Sequence, residues 1–469
     1  MPEMPINLIS GDKHGDEVDY RSYLPINMSG IVRPLLGSVG YMLQQPGLTQ
    51  YATGEGIDRG GIYNERFTNH FRVSSESFIE VSASGTTNIL GAVDGSDTVS
   101  LPYSFNTQGI VANGRFYLYD PTNGFREVTD TDLGDPIDCV WVDGVYFFTD
   151  GENIYHTETS DESAIDPLTF ATAEFMPDPS NGVAKTSDNL VMVFGRYTIE
   201  YFINIATANF SFQRIEARAV KAGIVGTHAK AEMLDQWFIM GGRKEEDVSI
   251  HVVGVGRVTK VASREVDKVI GQYTEEELST AVLEARVDEG YQYLIVHLPN
   301  ETLLYNVKVA AIAGDEQAWT ILQSDVTGNA QWRAKHGVFE ARKGVWVYGD
   351  KRDSKIGILD EDVGTHYDDI AEWTLNTPFI KLESMSIDRL EIEIIPGFTA
   401  TEDATVFVSL TPDGVTHGTE YSMEYGLPSD YNQRFIRYRF GYVRNWFAFK
   451  LRGASVSRMA FSTAKIQYG

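Results

Sequence analysis

The chain has 469 residues, 42% of them hydrophobic and 12% aromatic, with a formal net charge of −27 and a single cysteine, Cys139. That length and apolar content allow more than one packed core, while one thiol excludes an intramolecular disulfide and any zinc site built from several cysteines. The acidic balance argues against a body that grips nucleic acid, and no apolar run reaches the ~18 residues that a membrane helix needs.

Along the chain, residues 1–55 come first. They show no charged-then-apolar leader pattern, and their prolines favour extended, turn-rich structure. This segment is expected to pack with the C-terminal region into one platform.

Residues 56–367 then carry a repeat. Seven copies of a β-rich strand pair fall at 62–81, 113–128, 143–157, 188–202, 235–254, 290–307 and 343–360. Most read as a turn, four to six apolar or aromatic residues, a Gly/Asp/Asn turn and a second apolar strand. Val, Ile, Tyr and Phe suit a half-buried pleated surface, and Asp-Gly or Asn-Gly closes hairpins through positive φ. The copies recur every ~30–55 residues, bracketing the ~40–45 of a four-stranded propeller blade. The fold expected is all-β: a seven-bladed β-propeller, or six-bladed if one of the closely spaced second and third copies is half a blade.

One helix is expected inside the repeats, opened by a capping box of Thr274 and Glu277 and continuing past Leu278 and Ala281 to Ala285. Residues 368–469 alternate apolar and polar positions, as in Leu390, Ile392 and Ile394 against Glu391 and Glu393, and read as a separate β-sandwich.

Signals for chemistry are weak. Nine histidines are scattered without a ligand spacing, and His297 sits in an apolar strand where a packed imidazole is the ordinary reading. Gly254 and Gly256 form a lone GxG turn, Asp413-Gly414 reads as a hairpin turn, and no nucleophile elbow occurs. The acids Asp12, Asp16, Glu17 and Asp19, and those from Asp350 to Asp362, lack the alternation of a calcium loop. Trp332, Trp346, Trp373 and Trp446 are expected in the core. No catalytic, cofactor-binding or metal residue is assigned, and no cofactor is expected.

Charge is uneven. From Tyr431 to Gly469 there are eight basic residues and no acid, so this stretch is +8 and the remainder −35. Arg434, Arg437, Arg439, Arg444, Lys450 and Arg452 form the candidate partner interface. They could instead face solvent or neighbouring acids within the fold, contact another subunit, or contact DNA.

Several segments together resemble a known family. They are 23–28 (YLPINM), Gly40-Tyr41 with Pro46-Gly47, Arg59-Gly60 with Tyr63-Asn64, and 198–202 (TIEYF). Further on come 221–224 (KAGI) with Gly226-Thr227, Tyr273-Thr274, 295–299 (IVHLP), Gly349-Asp350-Lys351, Asp413-Gly414 with Gly418, and the basic stretch through Arg437, Gly441, Val443-Arg444 and Phe449 to Arg452. In this order they resemble the packaged-DNA-stabilisation or tail hub (nozzle) proteins of short-tailed, Salmonella-phage-like bacteriophages.

The resemblance implies a virion tail protein, made in the host cytoplasm during assembly. It implies a ring of six copies below the head-to-tail adaptor, which retains packaged DNA and extends its exit channel. Tail fibres or tailspikes and a needle-like plug would attach nearby, and double-stranded DNA would pass without sequence-specific contact. An acidic lining would suit such passage, because basic phosphate contacts would slow sliding. Two other readings compete: a carbohydrate-active propeller, and a propeller scaffold that binds other proteins.

Overall fold

The computed structural model describes residues 2–9, 24–33, 39–173, 175–207, 209–254, 256–326, 331–395, 404–426 and 434–469. Asp12, Asp16, Glu17, Asp19, Tyr23 and Tyr431, which entered the sequence reading, lie outside them.

Seven sheets follow one another in chain order among the described residues. Blade 1 spans 58–92, blade 2 108–127, blade 3 138–172, blade 4 180–214, blade 5 223–260, blade 6 282–322 and blade 7 334–370. Each repeat copy falls within one blade, so the seven copies are seven blades. Local chemistry makes them. Asn113-Gly114 and Asp143-Gly144 take positive φ at both central positions, the geometry of the two-residue turn that matches strand twist. They close the hairpins Gln108–Ala112/Arg115–Asp120 and Asp138–Val142/Val145–Thr149.

The close spacing of the second and third copies has a structural cause. Among the described residues blade 2 has three strands. After Gly124–Glu127 the chain buries Val128 and Leu133 between blades 2 and 3 and goes straight to the inner strand of blade 3. Aromatic side chains fill the seams between blades. Phe71, Phe78 and Tyr117 lie between blades 1 and 2, and Phe116, Tyr146, Phe148 and Tyr155 between blades 2 and 3.

The helix expected to reach Ala285 stops early, at Glu275–Ser279, with its capping box intact. Val282–Asp288 is instead the inner strand of blade 6, where the β-branched Val282 and Val287 suit a pleat. Two short helices were missed, Arg264–Ile270 and Val307–Ala313. Each is capped by one residue, Ser263 or Asn306, within a loop too short to show a helical period.

The N-terminal segment divides. Strand Gly47–Thr53, assigned by sequence outside the blades, pairs antiparallel with Lys355–Asp360 as an outer strand of blade 7 and closes the ring of blades. The preceding strands Glu3–Asn7, Met28–Ile31 and Tyr41–Gln44 join the sandwich, alongside Ala460–Tyr468, Met385–Ile394 and Phe435–Val443. The facing sheet holds Glu372–Asn376, Trp446–Ala454, Thr405–Thr411 and Tyr421–Glu424, with Ile380–Lys381 paired to Trp446–Ala454. Between the sheets lie Leu390, Ile392, Val406, Val408, Phe447, Phe449, Phe461 and Ile466.

Asn27 ties the two parts together. It is buried at φ +53, a conformation asparagine tolerates. Its amide nitrogen donates to Gln323 O and Glu372 O, both at 2.8 Å, and its amide oxygen accepts from Gln323 N. One side chain thereby joins blade 6 to the sandwich. The same hydrophobic core runs from blades 4 to 6 into the sandwich without a break.

Candidate functional site

Two regions hold polar groups whose placement demands explanation: the propeller axis and one edge of the sandwich. At the axis, the segment 93–103 leaves blade 1 and crosses the middle of the ring. Arg59 clamps its start, donating from its guanidinium to the carbonyls of Ser75, Val93, Asp94 and Asp97. Val99 N donates to Arg59 O at 2.9 Å, and a Cβ on Gly60 would meet Val99 Cγ2 at 2.8 Å. Glycine is required there by close approach.

Thr98 sits where the inner strands converge. Its carbonyl accepts from His228 Nε2 of blade 5 at 3.2 Å, and its hydroxyl accepts from Lys335 Nζ of blade 7 at 3.2 Å. A bulge between Lys335 and Val338, with His336 at φ +56, lets His336 also reach the Thr98 hydroxyl. Ser100 donates to Asp138 of blade 3 at 2.5 Å. Cavities of about 640 Å³ and about 770 Å³ open on either side, and Thr98 and His228 line both. The axis is closed.

Around this plug runs a buried charge network. Arg72 donates from Nε to Asp58 Oδ2 at 2.6 Å and from Nη2 to Oδ1 at 3.0 Å, and again from Nη2 to His336 O at 2.8 Å. His336 Nδ1 donates to Asp58 Oδ1 at 2.8 Å. Arg72 Nη1 lies 3.1 Å from His70 Nε2. A guanidinium can only donate, so that ring nitrogen accepts and His70 is neutral, donating from Nδ1 to Glu340 Oε2. Burial pushes His70 down to about 4. For Asp58, burial raises the carboxyl, and Arg72 and His336 overcome it to leave it below the usual range. Gly349 lies against this carboxylate, because a Cβ there would meet Asp58 Cγ at 2.1 Å.

Asp138 is the corresponding node for blades 3 to 5, accepting from Lys230 Nζ at 2.7 Å and Val183 N at 2.8 Å. Glu284 of blade 6 accepts from the amides of His336 and Gly337. The carboxylates at the axis are thus tied to cations or amides, an arrangement that holds blades in register.

Lys351 differs. Burial, reinforced by the charge of Lys335, pushes its amine down to about 7. A base depressed in the fold is more protonated when unfolded between about 7 and its ordinary 10.5, so its penalty is complete below 7 and fades toward 10.5. Lys351→Met is expected to raise stability at neutral pH by on the order of 2–4 kcal/mol, with the gain shrinking above pH 7. Urea unfolding across that range measures it.

The basic residues chosen from sequence do not form one patch. Arg434 pairs with Glu391 at 2.5 Å, and Arg437 lies 4.3 Å over the Tyr421 ring. Arg452 makes a two-pronged pair with Glu420, both contacts 2.7 Å, and reaches Glu372. Lys450 is half-buried on the same strand. Arg439 and Arg444 are exposed and in no ion pair among the described residues. They lie on strand Phe435–Val443 and the hairpin tip that follows it. That strand ends its sheet, bonded only to Met385–Ile394. Tyr438, Tyr442 and Trp446 stand beside these arginines, 59%, 65% and 49% exposed. Trp446 is therefore a surface residue, against the core expectation, because it starts its strand at the open end of the hairpin. Trp332 and Trp373 are buried.

The chain is thus a seven-bladed propeller, closed at its axis and fused to a sandwich with a basic, aromatic edge. Residues 4–364 match the family described as Bacteriophage P22 Gp10, beta-propeller, and residues 372–469 match Bacteriophage P22 Gp10, beta-sandwich. The chain belongs to the P22 Gp10 family, and it is a structural tail hub protein of the phage virion. The tail hub protein gp10 of Salmonella phage P22 is 29% identical over 486 residues, covering 100% of both chains.

Solved structures are far more remote. The extracellular domain of a hybrid two-component system protein from B. thetaiotaomicron has a TM-score of 0.43 at 9% identity, covering 78% of this chain and 43% of its own. Virginiamycin B lyase from Staphylococcus aureus gives 0.43 at 13% identity, covering 68% and 99%. Neither carries a functional argument.

Proposed function

We propose that six copies of this chain form a ring beneath the head-to-tail adaptor, retaining packaged DNA and enclosing part of its exit channel. The ring assembles in the host cytoplasm, carries tail fibres or tailspikes and the needle-like plug, and catalyses no reaction. Asp58 and Glu284, two acids of the inner strands, are held by Arg72, His336 and backbone amides and are not free for acid–base work.

The plugged axis supports a specific version of this reading. With Thr98 bridging blades 5 and 7, the bore of the propeller cannot pass a duplex. DNA passes through the space enclosed between copies, and the acidic body keeps that passage free of phosphate contacts.

The observation that carries docking is the sandwich edge, where Arg439 and Arg444 stand exposed among Tyr438, Tyr442 and Trp446. Aromatic and arginine side chains are the usual anchors of protein interfaces. Positive φ at Arg439 and Gly441 and the bulge between Ile387 and Arg389 twist this strand, which discourages strand-on-strand aggregation and leaves side chains to make the contact. The adaptor ring is the partner assigned to it.

The test uses DNA-filled heads that carry adaptor but lack this protein. Added wild-type chain is expected to keep the DNA nuclease-resistant, with sixfold density at the portal vertex. The Arg439→Glu/Arg444→Glu chain is expected to bind those heads at least about tenfold more weakly, with reduced salt dependence. Equal retention by the double variant overturns the edge assignment, and heads that leak with wild-type chain bound overturn the hub reading for this DNA-retaining role.

A further inference from the structure

The axial cavity of about 640 Å³ is unlike the network around it. Its lining includes Lys335, Lys351, His228, His297 and Thr98. Most buried cations near the axis have a carboxylate: Arg72 has Asp58, Lys230 has Asp138 and Arg333 has Asp350. The two lysines do not. Lys335 Nζ donates to the Thr98 hydroxyl at 3.2 Å and Lys351 Nζ to the Thr302 hydroxyl at 3.0 Å, and neither is in an ion pair among the described residues. Each ammonium has three donors and uses one in this way.

His297 adds a second, independent observation. It is 3% exposed, and its Nδ1 has no hydrogen-bond partner among the described residues. Its Nε2 lies 3.0 Å from Glu284 Oε1, outside hydrogen-bond alignment. An unsatisfied buried ring nitrogen beside two unpaired ammonium groups is costly unless something polar enters.

We propose that this cavity is a binding site for a small phosphate-type oxyanion, held by Lys335 and Lys351 and by a hydroxyl of the anion donated to Nδ1 of His297, whose Nε2 faces Glu284. At neutral pH a tetrahedral phosphate offers acceptors in several directions and a hydroxyl, matching amines from a strand and a turn of blade 7 and an imidazole from blade 6. The acids that face the site are accounted for. Asp58 is engaged by Arg72 and His336, and Glu284 by two backbone amides. Asp350 is engaged by Arg333, while Asp97 stands exposed at the rim. Bound anion restores the charge on the Lys351 amine, which burial otherwise suppresses. An occupied site bridges blades 6 and 7 and stiffens the closure of the ring, and it does not depend on how copies assemble.

The experiment titrates the purified full chain with inorganic phosphate by calorimetry, against chloride at equal ionic strength and neutral pH. Saturable binding at one site per chain is expected, weakened at least about tenfold in Lys351→Met and in Lys335→Met, each checked for native near-ultraviolet circular dichroism. Lys381→Met, at an exposed lysine of the sandwich, is expected to bind as the wild type does. No saturable binding by the wild-type chain overturns the site. So does unchanged affinity in whichever lysine variant keeps its native spectrum.

Discussion

Replacing Arg72 with methionine is expected to lower the unfolding free energy by about 3–5 kcal/mol, the usual cost of stranding a buried charge. Both side chains of the pair are buried, and Asp58 is held by two guanidinium hydrogen bonds. Without Arg72 only His336 remains beside the carboxylate, and burial then drives it toward protonation. The same substitution removes the donor to His336 O and the donor to His70 Nε2, so blades 1 and 7 lose their shared fastening. Guanidinium unfolding of Arg72→Met measures the loss, and Arg72→Met/Asp58→Asn should recover part of it because no charge is then left buried. A loss under about 1 kcal/mol would show that water or another cation reaches Asp58. Amide exchange should quicken first in Asp58–Asn64 and Ala334–Glu340, the strands the network joins.

Mild acid is expected to destabilise the chain well before its carboxylates titrate. Burial pushes His70 down to about 4, and burial with neighbouring cations pushes His228 and His366 to about 3. These rings stay neutral in the fold, while in the unfolded chain they gain protons near 6.5. Between those limits the unfolded state binds more protons, so stability is full above about 6.5 and falls as pH drops toward 4. One pH unit below 6.5 each ring costs about 1.4 kcal/mol, and the three together about 4 kcal/mol. Glu340, held down to about 2 against the effect of burial by His70 and Arg342, adds its loss only below the ordinary glutamate range. Lys351 contributes no further slope in the acid window, since it is charged in both states there. Urea midpoints from pH 7.5 to 5 test the expectation; a flat profile over that interval would mean the rings are protonated in the fold. His228→Asn should flatten the slope by about one proton's worth.

The legible and illegible parts of this fold divide by sequence distance. The repeated blades were legible because neighbouring strands within a blade are closed by their own short turns, as at Asn113-Gly114 and Asp143-Gly144. The capping box at Thr274 was equally plain, being a contact over three residues. Its helix was extended too far because Leu278, Ala281, Val282 and Ala285 satisfy a helical period as well as the entry to a strand. Trp446 was misplaced because an aromatic at a strand start carries no sign of whether the hairpin end is covered.

The axis was not legible at all. Asp58 and Arg72 are 14 residues apart, both in blade 1, but His336 and Glu340 come from blade 7, more than 260 positions away. Arg59, Gly60 and Gly349 stood out within the resemblance, and only the packing shows why: one clamps the plug and two make room for Val99 and Asp58. Likewise a basic C-terminal stretch says nothing of which arginine meets Glu391 or Glu420 and which is left exposed.

By itself the sequence determined the all-β class, the repeated blades, the sandwich that follows and the family, since each rests on local turn chemistry, strand periodicity or motifs in order, while the choice of seven blades over six came from the sheets themselves. Only the tertiary structure decided that Gly47–Thr53 closes blade 7, that Asn27 joins propeller to sandwich, and that Thr98 seals the axis. Those contacts join residues far apart in the chain. Their specificity comes from which buried donors and charges find partners when the ring closes, and no short window of sequence records it.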